Sequence, residues 1–253
     1  MIDCNGFFGA WPYWDVTHKT PERLLTLMDR YQIEMLAVCS TRSIFSDWRL
    51  GNEEAIELSN KYPKRFLPFV SLSPILPKSD LVRHLKDYKQ RKVRGIRLYP
   101  QHQGYSLASN SVAAEILATA QDLSLPAVLP IRVIMNWGLP EMDTGTIETI
   151  VPKYPKLSFI LSGVNYGDTL WAFDFMRRFR NVFLEISGMQ GFRAIDGSVQ
   201  AVGTERLLFG SGLPLLYPAC SIQKLEVARL TREQKSAISE GNARRVLDMG
   251  VTN

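Results

Sequence analysis

The sequence predicts an α/β protein, an eight-stranded parallel (β/α)8 TIM barrel. Three observations carry that reading. Short apolar runs alternate with longer amphipathic ones, giving eight strand candidates along the chain. The 253 residues are close to the usual size of one such barrel. The rival, an open doubly wound sheet, has a glycine signature after its first strand, and Gly6 and Gly9 do not meet G-x-G-x-x-G spacing. Closing eight strands on themselves also gives each strand two neighbours and leaves no exposed edge.

The elements follow in order. An apolar strand at 2–5 opens the chain, and a helix at 21–31 begins at Thr20-Pro21-Glu22-Arg23, a cap residue followed by Pro at the first turn. Strands are expected at 35–40, 66–72, 95–99, 127–131, 158–162, 182–187 and 207–211. Helices are expected between them at 52–62, 80–91 (opened by Ser79-Asp80), 111–123, 146–154 and 169–179, with a less clear one at 195–202. A last helix runs at 232–249. There is no internal repeat, low-complexity tract or linker, so one domain is expected over 1–253.

Composition narrows the function classes. With 45% hydrophobic and 22% charged residues the chain reads as an ordinary soluble globule. No charged start followed by an apolar core suggests a secretion signal, and no apolar run approaches a membrane span of about 18 residues. Cys4, Cys39 and Cys220 are odd in number and lack metal-like spacing, which suits reduced thiols in a cytoplasmic protein. The 30 basic residues exceed the 25 acidic ones by a net +5, but they are dispersed, as in Arg177-Arg178 and Arg244-Arg245 on expected helices. No basic stripe with interleaved aromatics argues for nucleic acid. The expected partner is a small, anionic molecule rather than nucleic acid or membrane; a homo-oligomer is left open.

Several segments together resemble one family. Met1-Ile2-Asp3-Cys4-Asn5-Gly6-Phe7 resembles the first strand of the amidohydrolase superfamily. Arg65-Phe66-Leu67-Pro68-Phe69 looks like the third strand of its decarboxylase-like, amidohydrolase-related branch. Val93-Arg94-Gly95-Ile96-Arg97-Leu98-Tyr99-Pro100 looks like the fourth, and Gly104-Tyr105-Ser106-Leu107 like the loop after it. Leu125-Pro126-Ala127-Val128, Tyr154-Pro155-Lys156-Leu157 with Phe159-Ile160-Leu161-Ser162, and Asn181-Val182-Phe183-Leu184-Glu185 resemble the fifth to seventh strands. Arg206-Leu207-Leu208-Phe209-Gly210-Ser211-Gly212-Leu213-Pro214 resembles the eighth, and Gly241-Asn242-Ala243 the final helix. Each segment is weak alone; their order and spacing are specific.

The resemblance implies a hydrolase or decarboxylase whose metal is held by a His-x-His pair on the first strand, a His on each of the fifth and sixth, and an Asp on the eighth. Here those positions fall on Asn5, Phe7, Pro130, Gly163 and Gly212. A transition metal needs several N, O or S donors in defined geometry, so no metal and no cofactor are expected. Some lactonases of the superfamily work without metal, but they keep the eighth-strand Asp as a base.

Barrel active sites lie at the C-terminal ends of the strands. Polar residues of matching parity there are the candidates. Arg97 and Tyr99 share a face of the fourth strand, and Arg132 shares the parity of Pro130, which should end its strand because it lacks a ladder donor. Two inward arginines suit a carboxylate or phosphate; the alternative is that each pairs with a structural acid such as Asp3 or Glu185. Asn165, just past the sixth strand, is a further ligand contact or a plain loop residue. His102, in the loop after the fourth strand, has a reference pKa suited to general acid or base work; a solvated loop His is the alternative. Glu185 is the strand carboxylate best placed for proton transfer or for orienting another group. Cys4 is read as facing away from the mouth, and Ser162 and Ser211 lack a His partner for a triad. Phe7, Phe8, Trp11, Tyr13, Trp14, Trp137, Tyr166 and Tyr217 crowd the mouth, either as ligand walls or as lid packing.

The sequence thus points to a metal-independent, amidohydrolase-like hydrolase or decarboxylase acting on a small anionic, cyclic or aromatic compound. Asn5, Phe7, Arg97, Tyr99, Arg132, Trp137 and Asn165 would bind the ligand, and His102 or Glu185 would move a proton. The alternative is a catalytically inactive member, a pseudoenzyme that binds a small molecule or a protein partner.

Overall fold

A computed structural model of the chain describes residues 1–74, 78–134 and 138–249. Eight strands run in sequential order, all parallel: β1 (Ile2–Phe8), β2 (Met35–Ser40), β3 (Phe66–Ser71), β4 (Gly95–Arg97), β5 (Ala127–Pro130), β6 (Phe159–Ser162), β7 (Val182–Glu185) and β8 (Leu207–Leu208). The ends of the series meet. Cys4 N donates to Phe209 O at 2.9 Å, Phe7 N to Leu213 O at 2.7 Å, and Gly212 N to Asn5 O at 2.8 Å. The result is a (β/α)8 TIM barrel with helices outside.

Parallel pairing follows from the crossover helices, which the sequence starts with short polar side chains. Thr20 accepts from Arg23 N ahead of the helix Pro21–Arg30. Asp47 caps Trp48–Lys61, Asn110 caps Ser111–Asp122, and Asp143 caps Thr144–Ile150. The Asp47 cap explains why the second long helix starts before the expected 52. The expected cap at Ser79 falls outside the side chains the structure describes.

Two corrections to the element pattern matter. The helix Pro218–Val227 was not expected, because only Pro218, Ser221 and Leu225 of its face are buried and these give a weak apolar period. The final helix is broken: Arg232–Ser236 passes through a π turn at Ala237–Gly241 before Asn242–Val246.

The barrel interior is filled by Ile2, Cys4, Ala37, Leu67, Phe69, Val128, Ile160 and Leu208, with Ala243 and Leu247 closing it from the C-terminal segment. The outer faces of the strands pack against the helices, as Leu36, Val38 and Phe66 do against Leu24, Leu27 and Met28. The placement of Cys4 corrects the strict alternation expected for β1. Asp3 is opposite Leu36, but Gly6 is opposite Val38, so one extra residue is accommodated between them. That bulge keeps Cys4 inside below it and returns Phe7 to the interior above it.

Candidate functional site

The polar interior begins at the C-terminal half of β1. Arg97, on β4, is 1% exposed. Its Nη1 donates to Asn5 Oδ1 at 3.0 Å, and its Nη2 to the carbonyls of Cys4 at 3.2 Å and Ala37 at 3.1 Å. The guanidinium carbon lies 5.0 Å from the Phe7 ring centre and 5.5 Å from that of Phe69. A cation between two ring faces gains electrostatic attraction once it is removed from water. No carboxylate reaches this guanidinium directly among the described residues.

Asn5 carries the connection further. Its Nδ2 donates to Glu185 Oε1 at 3.2 Å and to Ser187 Oγ at 3.1 Å. The amide therefore turns its oxygen to the cation and its nitrogen to the carboxylate. Glu185, fully buried on β7, also accepts from Ser162 Oγ at 2.8 Å, Gly163 N at 3.1 Å, Ser187 Oγ at 2.8 Å and Ser187 N at 2.7 Å. This arrangement lies between the two readings of Arg97 offered by sequence: it is joined to Glu185, but through an amide.

Asp3 belongs to a neighbouring cluster at the barrel seam. Its Oδ1 accepts from Asn5 N at 2.9 Å and Ser211 N at 3.0 Å, and its Oδ2 from Ser211 Oγ. Complete burial pushes its carboxyl up to about 7, against the pull of the Ser211 hydroxyl. Ser162, Ser187 and Ser211 thus serve as donors to buried carboxylates, a role no local sequence signal announces. Lys224 is another unannounced residue. From the unexpected helix its Nζ donates to the carbonyls of Ile186, Ser187 and Met189 at 2.7, 2.9 and 2.9 Å, and so fixes the loop after β7.

Above this layer the mouth is packed. Phe7, Trp11, Val16, Cys39, Ile44, Tyr99, Val133 and Ile134 form one buried apolar cluster. Trp11 stands edge-on to Phe45 at 5.1 Å, Phe45 to His102 at 5.3 Å, and Tyr99 to His102 at 6.1 Å. Within this cluster Trp11 Nε1, Tyr99 Oη and His102 Nε2 are buried without a hydrogen-bond partner among the described residues. Tyr99 has Arg97 and Cys39 as neighbours, but its hydroxyl makes no well-formed bond to either. Burial holds the His102 imidazole below its ordinary value, which favours the neutral ring.

The other candidates sit at the rim. β5 ends at Pro130, and Arg132 follows it with a side chain 11% exposed. Both edges of its fork are occupied: Nε and Nη2 donate to Glu141 at 2.6 and 2.7 Å, and Nη1 and Nη2 reach Asp168. Asn165 accepts from Gly167 N at 2.7 Å, the bond of a side-chain-closed turn. Trp137 lies outside the described residues. Of the other aromatics, Phe7, Phe8 and Trp11 are buried, while Tyr13, Trp14, Tyr166 and Tyr217 are exposed.

The sequence profile of the amidohydrolase family matches residues 13–249. No curated protein matches the chain. Solved structures share the barrel. 2,6-Dihydroxybenzoate decarboxylase from Rhizobium is 16% identical with a TM-score of 0.74, over 98% of this chain and 99% of that one. 4-Oxalomesaconate hydratase from Rhodopseudomonas palustris is 17% identical, TM-score 0.70, over 98% and 95%. 5-Carboxyvanillate decarboxylase from Novosphingobium aromaticivorans, solved with bound manganese and 3-methoxy-4-hydroxy-5-nitrobenzoic acid, is 17% identical, TM-score 0.69, over 89% and 80%.

The manganese of that relative can be tested against the residues here. The positions the resemblance matches to metal ligands hold Asn5, Phe7, Pro130, Gly163 and Gly212. Gly163 has φ +69° and a side chain there would collide with the Arg132 carbonyl oxygen; Gly212 has φ +73° and a side chain there would press on Leu216. Among the described residues no three His, Cys, Asp or Glu side chains are grouped to hold a metal ion. The donors present do not fit a divalent metal in this place. No helix among the described residues is long and apolar enough to cross a membrane.

Proposed function

The chain belongs to the amidohydrolase family, and from that premise we propose that it binds a small carboxylate-bearing ring compound at the barrel mouth without the family's metal chemistry. The observation that carries this is the Arg97–Asn5–Glu185 chain. It sets a neutral amide, at one of the two β1 positions matched to metal ligands, between a fixed cation on β4 and a carboxylate on β7, and Glu185 receives five donor contacts. A carboxylate so engaged is a scaffold rather than a base that could accept a substrate proton.

The ligand class rests on two supports. Trp11 Nε1 and Tyr99 Oη are buried donors without partners among the described residues. Each unmade bond costs about 1–3 kcal/mol, which an acceptor-bearing ligand would recover. The relative solved with a nitrobenzoic acid derivative binds an aromatic acid. Arg132 is engaged by Glu141 and Asp168, so the anion contact falls to the donors of the mouth rather than to that fork.

A second reading, catalysis on the same ligand, is favoured by His102: a half-buried, neutral imidazole with an unpartnered Nε2 beside Tyr99 is a competent proton acceptor. One set of measurements separates the readings. Metal analysis of protein purified without chelator should give well under one zinc, manganese or iron per chain; one equivalent surviving dialysis sinks the metal-free reading. 2,6-Dihydroxybenzoate should raise the melting temperature, resorcinol should not, and Tyr99→Phe with Trp11→Phe should remove the shift. Absence of a shift in the unaltered protein defeats the binding proposal. Turnover of the bound acid that His102→Gln abolishes would establish the second reading.

A further inference from the structure

A separate cavity lies at the opposite end of the barrel. It is bounded by Met1, which precedes β1, and by Tyr31 and Gln32, which lead into β2, so it is on the side where strands begin rather than end. Its other walls come from the helices Pro218–Val227 and Arg232–Ser236 and the π turn after them. The volume is about 660 Å³, within the range of small-molecule sites.

Its lining divides by chemistry. Leu225, 5% exposed, forms an apolar floor with the partly buried Ile222 and Tyr31. Arg30, Arg232 and Lys235 stand around it, and Glu226 is the one acid on the wall. Three positive side chains against one negative leave a local excess of +2. None of the three cations makes an ion pair among the described residues. Arg30 instead lies over the Tyr31 ring at 5.6 Å, and Lys235 Nζ donates to the Glu226 carbonyl at 2.6 Å, which leaves donors of both groups free. Other arginines of this chain close on carboxylates, as Arg91 does on Glu53 and Arg244 on Glu34. Cations without ion-pair partners beside an apolar floor suit a ligand with one anionic group and an apolar body.

We propose that this cavity is a second binding site, for a small organic anion whose apolar body rests on Leu225 and Ile222 and whose charge faces Arg30, Arg232 and Lys235. It is independent of the mouth and shares no residue with it. Size and polarity exclude two simpler ligands: an inorganic anion leaves the floor uncovered, and a neutral hydrocarbon leaves the cations unmatched.

The probe is 8-anilinonaphthalene-1-sulfonate, followed by its fluorescence on titration with the intact chain, with octanoate and 1-octanol as competitors. One saturable site is expected, displaced by octanoate and not by 1-octanol. The double change Arg232→Glu with Lys235→Glu should weaken binding by at least about tenfold, since it reverses two of the charges that face the anion. Arg30→Glu, at the helix end across the cavity, should weaken it independently and covers the case that the double variant unfolds. The control Lys64→Glu with Lys86→Glu makes the same change in net charge elsewhere and should leave binding within about twofold. Absence of saturable binding, equal displacement by 1-octanol, an equal loss in the control, or undiminished binding in the well-folded cavity variants would each overturn the site.

Discussion

Arg97 and Arg132 look equivalent in the sequence, two arginines of inward parity near the ends of adjacent strands, yet the barrel uses them in opposite ways. Arg97 is enclosed, carries no direct carboxylate contact among the described residues, and is held by dipoles and ring faces. Arg132 stands at the rim with a carboxylate on each side. The difference is one of solvent. At the rim, water reaches Glu141 and weakens that pairing, while the Asp168 contact is more enclosed. In the interior an ion must be solvated by the protein itself, and the barrel does this with Asn5, two strand carbonyls and two phenyl rings. The interior cation thereby becomes part of the fold, whereas the rim cation fastens two loops to each other.

The comparison breaks most visibly at Arg97. Arg97→Met keeps the length of the side chain and removes its charge. Asn5 Oδ1 and the carbonyls of Cys4 and Ala37 then lose their donor, and Glu185 loses the cation it is joined to through Asn5. Loss of one member of a buried charge pair costs about 3–5 kcal/mol, and urea unfolding should show a loss of that order. Adding Glu185→Gln should recover part of it, because the residual charge is then removed. A single-variant cost below about 1 kcal/mol, or a cycle without coupling, would mean that the amide does not transmit the interaction.

Asp3 sharpens the same contrast through pH. Burial raises its carboxyl from 3.8 to about 7. Between those values the folded chain binds more protons than the unfolded one, so this group makes stability fall as pH rises from about 4 to about 7, and its contribution levels off above that. The slope reaches at most about 1.4 kcal/mol per pH unit for a single group. Asp3→Asn keeps an acceptor for Asn5 N and Ser211 N and should flatten that part of the profile. An unchanged slope in the variant would assign the dependence to another residue.

How much of this could be read from the chain depends on the range of the interaction. The barrel was legible because strand, helix and cap signals are local: Thr20 before Pro21, or the break at Pro130, acts within a few residues. The inward placement of Arg97 and Tyr99 was legible for the same reason, since parity inside one strand needs no partner. The bulge between Asp3 and Gly6 was not, because it exists only in the register of β1 against β2, and it moved Cys4 inside. Nor was the Arg97–Asn5–Glu185 chain, whose members stand 92 and 180 residues apart. Asp168 carries no sequence mark as the partner of Arg132, and Lys224 was hidden with its weakly periodic helix.

A smaller effect is expected at Phe7. Its ring is 2% exposed and packs on the Arg97 guanidinium. Phe7→His places a ligand-type side chain at one of the matched positions, but Pro130, Gly163 and Gly212 supply no further donors. Metal analysis should still give well under one equivalent, and stability should fall by about 2–3 kcal/mol as buried apolar surface and ring contact are lost. Tight zinc binding by this single variant would show that the barrel interior still offers a metal site.

The smallest effect belongs to Arg132. Arg132→Met removes its contacts with Glu141, a side chain 49% exposed, and with Asp168, which is 15% exposed. Glu141 can return to water at little expense, and most of the penalty falls on Asp168. That carboxylate still accepts from Asn165 N at 3.1 Å. A loss of about 1–2 kcal/mol is expected, below that of Arg97→Met, because water can replace much of what the guanidinium supplied. Salt gives the sharper test. Screening acts on charges that solvent reaches, with a length of about 10 Å at 0.1 M and 3 Å at 1 M. The difference between Arg132→Met and the unaltered chain should therefore shrink when unfolding is measured at high salt, while the difference for Arg97→Met should persist. If both differences respond to salt alike, solvent reaches the Arg97 guanidinium, and the contrast between an enclosed cation and a rim cation fails.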